Sequence, residues 1–105
     1  MDNGLRYEYL LPIGSIVKVK NVKKDQMIIG ILQKGAAAPD KMFDYAAVPY
    51  PEGLHTPLLN LGFDHKDIEE IIFRGYEDEN RKAFLVLMEA VARNMDKMKQ
   101  EQEEG

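Results

Sequence analysis

The alternation of apolar and polar residues predicts short strands in the first two thirds of the chain. In Ile16–Lys20, Val17 and Val19 fall on one face of a strand and lysines fall on the other. Met27–Gln33 is apolar on both faces, which is typical of a central or covered strand. Gly30 interrupts this second strand, and a glycine inside a strand usually indicates a bulge or a close backbone approach. The two segments therefore predict a hairpin, with a bulge or a close backbone approach at Gly30.

Three more strands and one short helix follow in the pattern. Pro49 has no N–H to donate, so the third strand should end there or lie at a sheet edge. Asp64 is typical of a helix N-cap and predicts one or two helical turns before the last strand. The predicted elements are a third strand at Met42–Tyr50, a fourth at Leu58–Phe63, a helix at His65–Glu70 and a fifth strand at Ile71–Phe73.

The last part of the chain has the pattern of one long helix, Asp78–Gln102, with an acidic first turn. Its apolar residues follow spacings of four and three and fall on one face. They are Phe84, Met88, Val91, Met95 and Met98. At 1.5 Å per residue the helix is roughly 37 Å long, whereas a typical strand spans only ~17–20 Å.

This difference in length predicts that the sheet covers only the first part of the helix, around Phe84, Met88 and Val91. Met95 and Met98 should then extend beyond the sheet, where an exposed apolar surface usually marks a contact with another molecule. We therefore predict a protein-binding or self-associating surface on the helix. Its residues are Met88, Val91, Met95 and Met98.

Taken together, these elements predict an α+β fold in a single domain of residues 1–105. The sheet should be small, antiparallel and strongly curled or barrel-like, with five strands, a short helix before the last strand and a long C-terminal helix. Residues 1–10 are expected to form a loose arm, residues 11–76 the sheet and residues 78–102 the helix. Parallel βαβ units are not expected, because the early connections are too short for crossover helices.

Composition narrows the function classes. The formal net charge is −4, which disfavours a dedicated nucleic-acid binder. The acidic excess lies after residue 60, where twelve acidic residues face seven basic ones. Without cysteine there is no disulfide, thiolate metal site or cysteine nucleophile. Neither a signal-peptide pattern nor a membrane-spanning apolar run is present, so we expect a cytoplasmic protein without membrane insertion.

Asp64–Glu70 is the one segment whose composition suggests a metal or acid–base site. On a helix, His65 and Glu69 would share a face, and His55 lies ten residues before His65. A catalytic metal site usually has three protein ligands. A capped, acidic and solvated first turn explains the same residues, and this interpretation is the stronger one. We therefore predict no metal-binding or catalytic residue and no cofactor.

Nucleophilic and phosphate-binding motifs are also missing from the sequence. Ser15 and Thr56 are its one serine and one threonine, and neither lies in a G-x-S-x-G elbow. Gly35–Pro39 is rich in small residues, but it lacks the second glycine and the Lys-Ser/Thr pair of a P-loop. The chain is predicted not to be an enzyme.

Lysines surround the first hairpin, which leaves a second function open. They are Lys18, Lys20, Lys23, Lys24 and Lys34. A small barrel binds single strands with lysines for phosphates and aromatic rings for stacking, but these two strands have no aromatic residue. Lysines that protect a sheet edge from aggregation are the simpler explanation. Nucleic-acid binding is thus the alternative rather than the leading hypothesis.

An ordered set of short motifs resembles the small bacterial family called domain of unknown function 4176. The motifs span roughly Leu11 to Phe84 and occur in the family's order. They are Leu11–Val17, Met27–Gly30, Phe43–Tyr45, Pro49–Gly53, Phe63–Ile68 and Phe73–Tyr76. The alanine-rich loop Lys34–Lys41 and the helix after Phe84 match no motif of the family.

The resemblance implies a non-enzymatic accessory role. Members of the family are encoded in Gram-positive bacteria beside type VII secretion genes and LXG-type toxins. A protein of this kind is expected to bind a secreted toxin in the cytoplasm, as a chaperone or targeting adaptor. Self-association through the C-terminal helix is expected from its apolar face and not from the resemblance. The alternatives are a small-barrel nucleic-acid-binding protein and a metal-dependent enzyme that uses His65.

Overall fold

The computed structural model describes residues 6–34, 40–54 and 60–104, with side chains up to Met98. The chain divides into two compact units. Residues 10–76 form the sheet unit, and residues 1–9 together with 77–105 form the helix unit. The expectation of a single domain, with the sheet at residues 11–76, stays a prediction.

The sheet unit contains five antiparallel strands in the order β4-β3-β2-β1-β5. Their bounds are β1 at Ile16–Val19, β2 at Gln26–Lys34, β3 at Met42–Pro49, β4 at Leu61–Phe63 and β5 at Ile68–Phe73. The predicted α+β class with a five-stranded antiparallel sheet is therefore confirmed. Within the described ranges no ladder joins β4 to β5, so these two strands are the edges of the sheet. Leu58, the predicted start of the fourth strand, lies outside the described residues.

The position of β2 follows from its sequence. Because it is apolar on both faces, it lies at the centre of the order, and its register with β3 shifts between Ile28 and Gly30. This shift is a bulge beside Gly30, one of the two features that a glycine inside the strand indicated. On β1, Val17 and Val19 are buried and Lys18 is exposed, as the alternation predicts.

The segment before the last strand differs from the prediction. A 3₁₀ helix covers only His65–Asp67, and β5 begins at Ile68 rather than at Ile71. The reason is pairing with β1, which places Ile68 opposite Val19. The N–H of Lys20 donates to the Asp67 carbonyl at 2.9 Å, so the ladder holds the chain extended from this point. Tertiary pairing thus outweighs the local preference for a longer helix.

The core of the sheet unit is apolar with one aromatic residue at its centre. Tyr45 is fully buried and packs against Phe63 with a ring-centroid distance of 5.3 Å. Further buried apolar side chains come from the segment before β1 and from the strands. They include Leu10, Leu11, Val17, Val19, Ile28, Ala47 and Val48. Leu10 was expected in a loose arm, but its side chain belongs to this core.

The helix unit contains α1, Glu79–Glu104, close to the predicted bounds. Asp78 caps its first turn, since its carboxylate accepts from the N–H of Arg81 at 3.1 Å. The buried positions are Leu85 and Glu89, four residues apart, whereas Phe84 is 43% exposed. Val91 is 42% exposed, so the buried face of the helix is rotated by about one residue from the face that the spacing of the apolar residues favoured.

An ion-pair cluster joins the N-terminal segment to α1. The Arg6 backbone N–H donates to Glu89 Oε1 at 2.8 Å, and the side-chain Nε of Arg6 lies 2.8 Å from Glu89 Oε2. Asp96, seven residues further along α1, accepts from Arg6 Nη1 at 3.2 Å. From Arg6 onwards the arm is thus tied to the helix, which the sequence pattern did not indicate.

No helix in the described part of the chain combines the length and the apolar character that crossing a bilayer requires.

Candidate functional site

The described part of the helix unit exposes a row of apolar residues along α1, which we call the exposed stripe. Its five residues follow spacings of 3, 4, 4 and 3, so they share one helix face. They are Phe84, Leu87, Val91, Met95 and Met98, exposed by 43%, 58%, 42%, 58% and 53%. A large apolar side chain that stays this accessible keeps roughly half of its hydrophobic free energy available for binding.

Three of the four predicted binding residues belong to the exposed stripe: Val91, Met95 and Met98. Met88 is only half-buried and lies beside it, between the exposed and the buried faces. The structure also places Leu87 within the stripe, although it was not among the four predicted binding residues. Its spacing from Phe84 and Val91 is the signal that identifies it, since 3 and 4 residues return to the same face.

The chemistry of the exposed stripe suits another apolar helix. Its side chains carry no charge, and the two methionines adapt to irregular partner surfaces because they have three rotatable bonds. Asn94 is its polar neighbour, with its side-chain amide 4.0 Å from the Met98 sulfur. A row of apolar residues spaced by three and four is the pattern by which a helix packs into the groove of a partner.

Glu89 lies on the buried side of α1. The pKa of its carboxyl is below the ordinary value, chiefly because the Arg6 backbone N–H donates to it and also because the Arg6 and Arg93 guanidinium groups lie nearby. The charged form is therefore favoured despite burial, and Glu89 anchors the N-terminal segment to the helix. It does so away from the exposed stripe.

In the sheet unit, β5 exposes a second group of apolar residues at the sheet edge. Ile71, Ile72 and Phe73 are exposed by 47%, 44% and 57%. However, the register between β1 and β5 shifts twice, between Ile16 and Val17 and between Lys18 and Val19. Such bulges twist an edge strand and oppose the addition of a further strand. The edge is thus a less favourable binding surface than the exposed stripe.

His65 is held by the core and does not form the predicted face with Glu69. Its Nδ1 lies 2.7 Å from the Tyr45 hydroxyl, and its backbone N–H donates to the Asp44 carboxylate at 2.9 Å. Because the 3₁₀ helix ends at Asp67, Glu69 lies on a strand instead of one helical turn later. An open depression of about 400 Å³ lies alongside, lined by His65, Lys66, Ile68, Glu69, Glu70 and Ile71. Among the described residues no group of three potential ligands could hold a metal ion, and His55 lies outside those residues.

Ser15 has a structural contact that accounts for its position. It is fully buried, and its Oγ accepts from the N–H of Gly75 at 2.9 Å. This bond joins the start of β1 to the segment that follows β5. Thr56 lies outside the described residues.

Two lysines of the first hairpin form ion pairs with carboxylates. Lys18 Nζ lies 3.0 Å from Asp25, and Lys24 Nζ lies 2.7 Å from Glu52. The Asp25 carboxylate raises the pKa of Lys18. These neighbouring acids reduce the positive potential that a phosphate backbone would meet, which weakens the nucleic-acid alternative.

Comparison with known proteins gives one family. The model of the family described as domain of unknown function (DUF4176) matches residues 10–84. The match covers the whole sheet unit and ends at Phe84, the first residue of the exposed stripe. No curated protein and no solved structure matches the chain.

Proposed function

The chain belongs to the domain of unknown function 4176 family, and we propose that it is a non-enzymatic interaction module whose partner is a protein. The observation that carries this proposal is the exposed stripe on α1, in which five large apolar side chains lie on one face. The partner element is an amphipathic helix, because apolar residues at this spacing pack best against a second helix.

We further propose that the partner is an LXG-type toxin and that the protein acts on it in the cytoplasm, as a chaperone or targeting adaptor for type VII secretion. The support for this part is the genomic setting that the family resemblance implies. A chaperone of this kind needs an apolar surface that covers the apolar face of its client until export. The exposed stripe supplies such a surface.

The energetics favour Met95 and Met98 as the residues to test. Burying a methionine side chain fully contributes ~1.5–3 kcal/mol, and these two keep more than half of their surface exposed. Both lie outside the region that the family model matches. Replacing both with glutamate should therefore weaken binding strongly and leave the sheet unit unchanged.

The experiment is co-expression of the chain with the toxin encoded by the adjacent gene, followed by pull-down. M95E/M98E should lose most of the captured toxin, whereas V86E/K97Q should keep it. The control makes the same change of −2 in net charge at exposed positions of α1 outside the stripe, because V86E adds a negative charge and K97Q removes a positive one. Val86 has the same 53% exposure as Met98. Equal capture of the toxin by both variants would show that the stripe is not the binding surface.

A further inference from the structure

We infer that a second copy of this chain occupies the exposed stripe when no partner is bound, and that the two α1 helices then pack antiparallel about a two-fold axis at Val91. The inference extends the proposed function because both use the same surface. It is tested on the purified protein alone, so its failure leaves toxin binding unaffected.

The order of the exposed stripe supplies the reason. Its spacings of 3, 4, 4 and 3 read the same in both directions, and Val91 is the central residue. A two-fold axis at Val91 therefore places Phe84 opposite Met98 of the second helix and Leu87 opposite Met95. Every residue of the stripe meets another residue of the stripe, which is the self-complementarity that an isologous interface requires.

The two directions of packing differ in their side-chain pairs. In a parallel pair, Phe84 would meet Phe84 at one end of the stripe and Met98 would meet Met98 at the other. In the antiparallel pair, each end joins one rigid ring to one flexible thioether, and sulfur–aromatic contacts are favourable. In the antiparallel pair, the positive end of each helix dipole also lies beside the negative end of the other, which is favourable.

The contact is short enough for two nearly straight helices. The spacings of 3, 4, 4 and 3 add up to 14 residues, which is two heptads, so the stripe has the 3.5-residue average of a slight left-handed crossing. From Phe84 to Met98 the contact is roughly 21 Å long at 1.5 Å per residue. Two short, nearly straight helices can keep all five pairs in contact over this distance.

The size of the contact sets the expected affinity. Ten partly exposed apolar side chains over this length bury on the order of 1,000 Å² in total, which is the lower limit for a specific interface. The dimer should therefore be weak and depend on concentration. A client helix can replace the second copy on the exposed stripe, because it has to displace only this small interface.

Cross-linking tests the register directly, because the chain has no cysteine of its own. Helix axes 8–10 Å apart bring facing Cα atoms to about 5 Å, within the span of a disulfide. The variant V91C should form a covalent dimer with itself under mild oxidation. F84C and M98C should each fail to do so alone but should cross-link to each other when mixed.

The control is V86C, which has a cysteine outside the stripe at a site with the same 53% exposure as Met98. It should cross-link at the slow rate of random collision. Self-cross-linking of both F84C and M98C would indicate a parallel pair and overturn the inference. Cross-linking of V91C no faster than that of V86C would also overturn it.

A measurement without cysteine variants completes the test. Sedimentation equilibrium should show a mass that rises with concentration from 12.0 kDa towards twice that value. M95E/M98E should stay monomeric, and V86E/K97Q should associate like the wild type. A wild-type mass that stays at 12.0 kDa up to about 1 mM would refute the dimer.

Discussion

The Tyr45 hydroxyl lies 2.7 Å from Nδ1 of His65 and also accepts from the N–H of Leu11 at 3.0 Å. Through one side chain, β3 therefore holds both the segment before β1 and the 3₁₀ helix before β5. Tyr45 is fully buried, so these bonds form where water cannot replace them easily.

Tyr45→Phe should therefore destabilise the sheet unit more than the loss of a single hydroxyl suggests. The Leu11 N–H loses this acceptor inside the core, and His65 Nδ1 loses its contact as well. Each such loss costs about 1–3 kcal/mol in the free energy of unfolding, which urea denaturation measures. Tyr50→Phe is the matched control, because Tyr50 is 47% exposed and should change stability little. Equal effects of the two substitutions would contradict the anchoring role of Tyr45.

Gly75→Ala is expected to strain the contact between the start of β1 and the end of β5. A Cβ at residue 75 would lie 2.5 Å from the Ile13 carbonyl oxygen and 3.0 Å from the Ser15 nitrogen. Both are backbone atoms, so relief requires the chain itself to move, at a cost of about 1–3 kcal/mol. Thermal unfolding of this variant should show a lower Tm than that of the wild type.

Gly30→Ala provides the comparison for Gly75→Ala. At Gly30 the nearest atom to a new Cβ is the Gln33 Cγ at 3.2 Å, and the Gln33 side chain is exposed and able to move. The loss of unfolded-state freedom also favours alanine there. We expect a small change in Tm for Gly30→Ala. A larger decrease in Tm than for Gly75→Ala would show that the close backbone approach at Gly75 does not determine the cost of adding a Cβ.

The Arg6–Glu89 contact predicts an acid-sensitive attachment of the N-terminal segment. Because the folded pKa of Glu89 is lowered, its contribution to stability is fully present above the unfolded value of about 4.3 and is lost as the pH falls through the folded pKa. Hydrogen exchange of the Arg6 amide should therefore be slow at neutral pH, relative to its intrinsic rate, and lose protection in acid.

Glu89→Gln tests whether the loss of protection in acid comes from protonation of Glu89 or from other titrating groups. The variant should show low protection of the Arg6 amide at pH 7 and little further loss on acidification, since glutamine does not titrate. Glu79→Gln changes an exposed carboxyl at the first residue of the helix and should behave like the wild type. An unchanged protection profile in Glu89→Gln would assign the acid effect to other groups.

Nucleic acid should bind only non-specifically. Lys18 and Lys24 are in ion pairs and the net charge is −4, so few phosphates would be neutralised. Fluorescence anisotropy with single-stranded DNA or RNA at physiological salt should give Kd values no tighter than the ~10⁻⁴–10⁻⁶ M of non-specific contacts. Salt-resistant binding at nanomolar concentrations would favour the nucleic-acid alternative over the proposed protein-binding function.

The sequence determined the parts of the structure that depend on neighbours along the chain. The alternation of Val17 and Val19 with lysines specified β1, and Gly30 indicated the bulge of β2. The long apolar periodicity and Asp78 specified the helix and its start. These features are predictable because side-chain direction repeats every 2 residues in a strand and every 3.6 in a helix.

Only the tertiary structure decided which local preference was overruled and which face was buried. Pairing with β1 extended β5 back to Ile68, although the sequence favoured a longer helix there. On α1, Leu85 is buried and Phe84 is exposed, although the spacing alone favoured Phe84. The side chains of adjacent helix residues point about 100° apart, and an apolar face is at least about that wide. The faces centred on two neighbouring apolar residues therefore overlap. Long-range contacts choose between such faces, and the sequence pattern does not contain those contacts.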